Sequence, residues 1–268
     1  MAGIHIEWQP LTAVRLRDQD GRASQLRLVL VGKTGAGKSV TGNSILREKV
    51  FHSSIAASVT KTCNKGSSRW QGREIVAMDM PVIFDTEAQD ADTCKEIAPC
   101  IFLTSPGPHA LLLVVLLGRY MQEEHKAMEK ILQIFGLRAR RYMILLFTRK
   151  DDLDGINFHE YLKETPEGIQ ELVGKFSDRY CIFNNLVTEA EQEAQRNQLL
   201  ALHEGRCYTN KMYQKAEEEI QKQIQVMQKL YRAELERQRV QLRREFEDKL
   251  NYLFVVVIIK IFCSLIFL

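Results

Sequence analysis

Eight consecutive residues carry the clearest chemical pattern in the sequence. Residues 32–39 read GKTGAGKS, which fits the pattern G-x-x-x-x-G-K-[ST] at every fixed position. The three glycines let the backbone curl until successive N–H groups point at phosphate oxygens. Lys38 would reach the β- and γ-phosphates of a nucleotide, and the Ser39 hydroxyl would bind Mg²⁺. The pattern predicts a phosphate-binding loop, although an ordinary glycine-rich turn is the structural alternative.

A second polar motif follows one of the apolar runs. Residues 148–152 read TRKDD and resemble the guanine-reading Asn-Lys-x-Asp motif of GTPases, with Arg149 in the position of the asparagine. A carboxylate here can accept two hydrogen bonds from guanine, whereas adenine offers no matching pair of donors. The register with the following leucine favours Asp152 as the acceptor, with Asp151 as the alternative, and Lys150 would lay its stem along the base. A charged loop that merely closes a strand is the structural alternative.

Further positions are candidates for the Mg²⁺ site and for hydrolysis. Thr60 is placed to meet Mg²⁺ and the γ-phosphate, with Thr62 as its rival, and Asp79 can hold Mg²⁺ through water. GTPases read Asp-x-x-Gly from that aspartate, but here the fourth residue is Val82, whose β-branched side chain resists the backbone conformations of glycine. No glutamine lies just beyond Val82 to orient an attacking water. Intrinsic hydrolysis is therefore predicted to be slow.

These motifs must be positioned by a sheet. Apolar runs of strand length lie at residues 26–31, 74–78, 110–117, 142–147 and 180–183. Segments with helical spacing alternate with them at residues 39–46, 123–135, 167–179 and 189–203. This alternation predicts an α/β fold with a mostly parallel P-loop GTPase sheet and helices on both faces. In such a sheet the ligands lie at the carboxyl ends of the strands, where the motifs above occur.

The composition limits the classes of protein to which the chain can belong. A chain of 268 residues that is 45% hydrophobic can bury one sizeable core with material left over. The net charge of +3, with basic and acidic residues interspersed, argues against nucleic-acid binding. The six cysteines form no C-x-x-C pair and no zinc-type cluster. We therefore expect reduced thiols in a cytosolic protein.

The composition changes after the predicted sheet. Residues 211–249 lack Gly and Pro and carry apolar residues at helical spacing, so they predict a long amphipathic helix. Its apolar stripe drifts from strict heptads. Three roles stay open for this helix: folding back on the preceding domain, pairing with a second chain, or binding calmodulin.

The last segment, residues 250–268, is almost wholly apolar. It is predicted to associate with an internal membrane such as the endoplasmic reticulum or Golgi, with a cytosolic location as the alternative. The run from Leu253 has sixteen residues, which is short for a span. Lys260 within it would cost about 2.5–3.5 kcal/mol at the bilayer centre. Spanning and burial at the interface both stay open.

The predicted organisation has four parts. They are a flexible lead-in at residues 1–24, a GTPase (G) domain at 25–207, an amphipathic helical extension at 208–249 and a membrane-anchor segment at 250–268. The lead-in lacks the apolar core of a signal peptide.

Several segments together resemble one family. They are residues 32–39, the box LTSPGPHALLLV at 103–114, LGRY at 117–120, FTRKDDL at 147–153 and RYCIFNN at 179–185. Over residues 25–212 the chain resembles the GTPases of immunity-associated proteins (GIMAP). The resemblance implies a septin- and Toc-related domain that binds GTP or GDP with Mg²⁺, forms homodimers or hetero-oligomers within the family, and acts in lymphocyte survival.

The resemblance also implies roles for particular residues. Carried over by position, nucleotide contacts fall on Gly32, Lys33, Thr34, Gly35, Ala36, Gly37, Lys38, Ser39, Val40, Ser53, Arg149, Lys150, Asp151 and Asn185. The Asn185 amide would reach the base or ribose, although an asparagine after a strand is also ordinary turn chemistry. Arg119, in LGRY, would act across a dimer interface to stabilise the transition state. A surface arginine at a strand end is the alternative.

Two classes of function follow. The first is a GTPase that cycles between nucleotide states, with slow or dimer-dependent hydrolysis. The second is a nucleotide-gated scaffold that assembles on membranes without needing hydrolysis. Val82 favours the scaffold, whereas the Arg119 box favours the enzyme.

Overall fold

A computed structural model describes residues 25–52, 63–80, 90–118, 122–176, 179–203 and 205–266. The chain forms two compact units. The first extends from Met1 to Ala216, and the second comprises Glu217–Leu268.

The first unit is built on a six-stranded sheet. Its strands are β1 (Gln25–Val31), β2 (Asn64–Trp70), β3 (Arg73–Asp79), β4 (Ala110–Leu116), β5 (Met143–Thr148) and β6 (Tyr180–Phe183). Their spatial order is β2-β3-β1-β4-β5-β6. Every neighbouring pair is parallel except β2–β3, which is antiparallel. The predicted mostly parallel α/β sheet is confirmed.

Helices cover both faces of this sheet. They are α1 (Lys38–Leu46), α2 (Asp90–Thr104), α3 (Gln122–Phe135), α4 (Phe158–Glu164), α5 (Glu167–Lys175) and α6 (Glu189–Ala201). Short 3₁₀ turns occupy Leu137–Tyr142 and Lys150–Leu153, and α7 (Lys211–Ile266) follows. One core cluster includes residues of α2, α3 and α5, and the other includes residues of α1 and α6. The predicted helices on both faces are therefore present.

Strand β4 shows why the long apolar run forms the middle of the sheet. Leu111, Leu113 and Val115 belong to one core cluster, whereas Leu112 and Val114 belong to the other. Successive side chains of a strand point to opposite faces, so a strand covered on both faces must be apolar at every position.

Three elements escaped the sequence analysis, namely β2, α2 and the short helix α4. Strand β2 reads NKGSSRW and pairs antiparallel at the edge of the sheet, where polar residues are tolerated because one side faces solvent. Helix α2 contains Pro99, a residue that normally argues against a helix interior. Their stabilisation comes from the sheet and core rather than from local propensity.

The Ser-Pro-Gly-Pro-His box packs against the segment that leads into α7. Gly107 has φ +148°, and a Cβ added there would lie 1.6 Å from the carbonyl oxygen of Tyr208. The Pro108 carbonyl accepts a hydrogen bond from the Tyr208 N–H at 2.6 Å. The Arg27 guanidinium donates to the Gly107 carbonyl at 2.7 Å. Only glycine allows this close approach, so the box anchors the segment that leads into α7.

His109 is held in the same region by Arg27. Its Nδ1 accepts a hydrogen bond from the backbone N–H of Arg27 at 3.0 Å, and the backbone N–H of His109 donates to the Arg27 carbonyl at 2.8 Å. Burial, helped by the nearby Arg27 charge, lowers the pKa of His109 to about 3. The ring is therefore neutral at physiological pH and acts as a structural acceptor.

Helix α7 begins inside the first unit. The Asn210 side chain accepts hydrogen bonds from the N–H groups of Met212 and Tyr213 at 3.0 and 3.1 Å, which caps the helix. Tyr213 and Ala216 are buried in the core. From there α7 continues as one helix through the predicted extension and the predicted anchor segment. No helical stretch in the described part of the chain is both long and apolar enough to cross a membrane.

The expectation of six reduced thiols is wrong for one pair of cysteines. Cys63 and Cys100 form a disulfide, with their Cα atoms 5.7 Å apart. The two residues are 37 positions apart and meet because the residue preceding β2 packs against α2. Cys181 and Cys207 are free. Burial raises the pKa of the Cys181 thiol, which keeps it protonated.

Candidate nucleotide-binding site

The loop between β1 and α1 lies at the carboxyl edge of the sheet. Gly32 has φ +145°, and a Cβ added there would lie 2.5 Å from the Val114 carbonyl oxygen on β4. Gly37 adopts the left-handed region with φ +92° and forms the N-cap of α1. In the described structure no side chain caps this helix. The first N–H groups of α1 can therefore bind an anion, which the helix dipole also favours.

Lys38 crosses this loop. Its side chain is buried, and its ammonium group donates hydrogen bonds to the carbonyl oxygens of Gly32 and Lys33 at 2.9 and 3.0 Å. The ammonium is thereby held within the loop backbone. A fixed cation beside the N-terminus of α1 suits a phosphate group.

Ser39 and Asp79 come from different elements and meet at the start of α1. The Ser39 hydroxyl donates to one carboxylate oxygen of Asp79 at 2.5 Å. Asp79 is 1% exposed, and its other oxygen has no hydrogen-bond partner among the described residues. Burial raises the pKa of Asp79, while the Ser39 hydrogen bond and the Lys38 charge lower it. A hydroxyl beside a buried, unpartnered carboxylate oxygen fits a hard cation such as Mg²⁺.

The turn after β5 is tied to the phosphate-binding loop. The Thr148 hydroxyl donates to the Ala36 carbonyl at 2.9 Å. Arg149 follows with φ +63°, and its guanidinium donates to the Asp152 carboxylate at 2.8 Å. Asp152, the preferred guanine acceptor in the sequence analysis, is thus engaged by a neighbour within its own turn.

Asp151 instead faces a cavity of about 320 Å³. Lys150 and Asn184 also line it, together with residues of α6 and the turn before it. Cavities of this volume are large enough for small ligands. The structure thus leaves the carboxylate of Asp151, the alternative acceptor, beside an open space.

The turn after β6 is held in place by two amide side chains. Gln195 on α6 accepts a hydrogen bond from the Asn184 N–H at 2.6 Å and donates to the Asn184 carbonyl at 3.3 Å. Asn185 donates to the Thr41 hydroxyl at 3.2 Å and accepts from the Ser44 hydroxyl at 3.0 Å. The Asn185 amide therefore links this turn to α1. Sequence reasoning missed Gln195, because a glutamine on an amphipathic helix gives no signal of such a contact.

A family model decides the relationship of the chain. The model described as the AIG1 family matches residues 26–228, which is more than half of the sequence. The chain belongs to the AIG1 family.

Its relatives in this family come from animals and plants. The AIG1 chain is 38% identical over 197 residues to GTPase IMAP family member 8 of Homo sapiens, covering 73% of this chain and 30% of that protein. It is 32% identical over 243 residues to immune-associated nucleotide-binding protein 9 of Arabidopsis thaliana, covering 84% and 71%. The predicted GIMAP resemblance is confirmed, although the chain spans only 30% of the length of the human relative.

A solved structure shares the fold of this AIG1 domain. It is the dimerisation-deficient mutant of Toc33 from Arabidopsis thaliana, with a TM-score of 0.54 and 19% sequence identity. The match covers 68% of this chain and 84% of Toc33. The predicted Toc-related fold is thereby confirmed.

Five predicted positions of the AIG1 domain lie outside the described residues: Ser53, Thr60 and its rival Thr62, Val82 and Arg119. Their roles stay predictions. Within the described residues, the structure brings together Lys38, Ser39, Asp79 and the two turns after β5 and β6 at the same edge of the sheet.

Asp79→Asn should separate the fold of this AIG1 domain from its metal site. We expect the nucleotide-free variant to be at least as stable as the parent, because the neutral amide removes the cost of burying a carboxylate charge with one unpartnered oxygen. A gain of 1 kcal/mol would raise the melting temperature by about 2–4 °C. GTP affinity should lose its dependence on Mg²⁺.

Thermal melting without nucleotide and calorimetric titration of GTP with and without Mg²⁺ measure both effects. Ser67→Ala on β2 is a matched control away from the site. An unchanged Mg²⁺ dependence in Asp79→Asn would contradict the metal assignment.

Proposed function

We propose that this AIG1 chain is a guanine-nucleotide-binding protein that acts as a switch between its GTP and GDP states, with Mg²⁺ as cofactor. The observation that carries the proposal is the Ser39–Asp79 pair at the start of α1, with its buried and unpartnered carboxylate oxygen. A turn that binds no ligand does not require a buried carboxylate at this position. A cation bound to a nucleotide would compensate it.

The phosphates would bind along the loop between β1 and α1. Backbone N–H groups at the uncapped start of α1 would donate to phosphate oxygens, and the Lys38 ammonium would exchange its carbonyl partners for phosphate. Ser39 and Asp79 would hold Mg²⁺, which neutralises charge between the β- and γ-phosphates when it is bound. Thr60 is the proposed further ligand.

The base would bind between the turns after β5 and β6. We assign the guanine acceptor to Asp151 rather than Asp152, because Asp152 is engaged by Arg149 and Asp151 lines the cavity. Gln195 would act as a positioning residue that fixes the backbone of Asn184 beside the base. Lys150 lines the same cavity and can cover the base with its stem.

Asp151→Asn is the test of this assignment. An amide cannot accept both guanine donors, so the preference for GTP over ATP should fall by about 10- to 100-fold. Competition between labelled GTP and unlabelled ATP measures this preference, and Asp152→Asn is the matched control.

The two variants show which aspartate accepts the guanine donors. Loss of preference in Asp152→Asn alone would move the acceptor to that residue. Preserved preference in both variants would contradict guanine recognition by this turn.

Hydrolysis is proposed to be slow in the monomer. Val82 replaces the glycine that GTPases use beside the γ-phosphate, and no glutamine lies just beyond it, where Ile83, Phe84 and Asp85 follow. Arg119 supplied by a second copy would complete the site. The structural neighbour Toc33 has a variant described as dimerisation-deficient, so a protein of this fold forms dimers.

A nucleotide-gated scaffold is the second candidate function. It is favoured by the large apolar side chains that α7 exposes in its unit, including Tyr231, Leu242 and Phe246. In this case bound GTP would permit assembly, and hydrolysis would be incidental. Single-turnover hydrolysis measured against protein concentration distinguishes the two candidates.

We place the protein at the cytosolic face of an internal membrane, the endoplasmic reticulum or Golgi, with the cytosol as the alternative. The support is the apolar end of α7, where Phe254, Val255 and Ile258 are more than half exposed. A role in lymphocyte survival is proposed from the family resemblance. Flotation of the full chain with vesicles tests the membrane association.

A further inference from the structure

The apolar residues of α7 follow an eleven-residue repeat. One line of the repeat contains Ile220, Tyr231, Leu242 and Leu253. A second line, four residues later in each repeat, contains Ile224, Leu235, Phe246 and Val257. Eleven residues make about three helical turns, so these eight positions form one continuous stripe, which we term the seam. This period explains why the stripe drifts from strict heptads.

The seam is uncovered in the second unit of the chain. Tyr231, Leu242 and Phe246 are 66%, 66% and 67% exposed. A stripe of this kind is normally buried against a partner. An eleven-residue period is typical of helices that wind around each other with a right-handed supercoil.

Charged residues flank the seam with opposite signs on its two sides. At about 98° per residue, positions three and eight residues after Tyr231 lie about 65° to either side of the seam. Glu234 occupies the first of these positions, and Glu245 repeats it eleven residues later. Arg239 occupies the second position, and Arg232 lies further round on that same side. Over residues 231–245 one flank is therefore acidic and the other is basic.

This division of charge selects the orientation of a second, identical helix. In a parallel pair related by a two-fold axis along the helices, the left flank of one helix faces the right flank of the other. Glu234 then faces Arg239 of the second copy, five residues further along, as in the interhelical pairs of coiled coils. In an antiparallel pair like flanks meet, so Glu would face Glu and Arg would face Arg.

We propose that α7 pairs through its seam with α7 of a second copy of this chain, in parallel and in register. The third line of the repeat starts at Met227 and continues with Gln238 and Lys249. Polar residues within a seam lower the stability of the pair and specify its register. The interaction is therefore specific and adjustable rather than permanent.

The same charges argue against a membrane surface as the occupant of the seam over residues 220–246, which precede the apolar end of α7. A helix that lies on an anionic membrane carries Lys and Arg along its polar face. The row of Glu234 and Glu245 directly beside the seam would be repelled there. A basic calmodulin-binding helix is disfavoured for the same reason.

Cysteine cross-linking in the full chain tests the pairing. In a parallel, in-register pair residue 235 faces its own copy within disulfide range, whereas Glu236 lies about 98° further round the helix and faces away from the second copy. We use Cys94→Ser/Cys207→Ser/Cys263→Ser as the background and oxidised glutathione as the oxidant. Two thiols and one glutathione disulfide then give the interchain disulfide and two glutathione molecules.

Leu235→Cys should form covalent dimers in this background, and Glu236→Cys should not. Equal cross-linking of the two variants, or none in Leu235→Cys, would overturn the proposal. A chain whose seam is covered by its own first unit or by detergent would give that negative result.

Charge exchange provides a second test of orientation. Glu234→Arg should weaken dimerisation of the full chain by roughly threefold to thirtyfold, since two flank pairs are lost per dimer. Adding Arg239→Glu should restore it in a parallel pair but not in an antiparallel one. Arg237→Ala is the control, because it removes the 3.7 Å ion pair with Glu234 within the helix and leaves the flank intact.

Leu242→Asp should have a larger effect. It should weaken dimerisation by roughly 100-fold or more, because each of the two chains then places a charge in the apolar seam. Sedimentation in detergent measures all these variants. Each should bind GTP as the parent does, so the result is independent of the proposed function. A double charge exchange that fails to rescue Glu234→Arg would contradict the parallel arrangement.

Discussion

Lys38→Met is expected to weaken GTP binding by about 100-fold or more while the fold persists. The ammonium would form charge-assisted hydrogen bonds to two phosphate groups, each worth about 1.5–3 kcal/mol. Methionine retains the aliphatic stem, so the buried volume beside the loop is preserved. In the nucleotide-free protein the variant loses the hydrogen bonds with the Gly32 and Lys33 carbonyls and the positive charge near Asp79.

Calorimetric titration with GTP in the presence of Mg²⁺ measures this effect. Lys65→Met, at an exposed position on the edge strand β2, is the matched control and should bind as the parent does. Circular dichroism checks that both variants retain the sheet and helices. Parental affinity in Lys38→Met would contradict the role of the loop in binding phosphate.

The elements that could be predicted from the sequence are those determined by local pattern. Strand β4 was evident because burial on both faces requires an unbroken apolar run. The phosphate-binding loop was evident because its glycines and its Lys-Ser pair have a fixed spacing. Both features depend on neighbours within a few residues.

The features that escaped prediction depend on side-chain contacts, most of them between residues far apart in the chain. The proposed choice of Asp151 over Asp152 rests on a contact within one turn, the ion pair that Arg149 forms with Asp152 from a left-handed backbone. The contact of Gln195 with Asn184, and the disulfide between residues 63 and 100, form only when the sheet assembles. No spacing in the sequence indicates them.

The Ser-Pro-Gly-Pro-His box shows that a recognisable motif need not belong to the site. The box directly precedes β4, whereas the phosphate-binding loop follows β1. These strands are parallel, so the two motifs lie at opposite edges of the sheet. The box holds Tyr208 and thereby the start of α7. Its identity reflects the attachment of the C-terminal helix rather than nucleotide chemistry.

Arg119→Ala is expected to abolish a rise of GTP hydrolysis with protein concentration without changing GTP affinity. If hydrolysis in the monomer is slow and the arginine of a second copy completes the site, specific activity should increase as dimers form. An arginine supplied in this way is worth about 10³- to 10⁵-fold in rate. Arg138→Ala, at an exposed position in the turn before β5, is the control and should keep the rise.

Variants in the seam of α7 distinguish an effect on dimer assembly from an effect on the hydrolysis step. Pairing of α7 raises the effective concentration of the two attached G domains. Leu242→Asp should therefore shift the activity curve to higher protein concentration and leave its plateau unchanged. Arg119→Ala should instead lower the plateau, because assembly is intact and the transition-state charge is unstabilised. Hydrolysis that is independent of concentration in the parent, or equal plateaus for Arg119→Ala and Arg138→Ala, would favour the nucleotide-gated scaffold over the dimer-dependent enzyme.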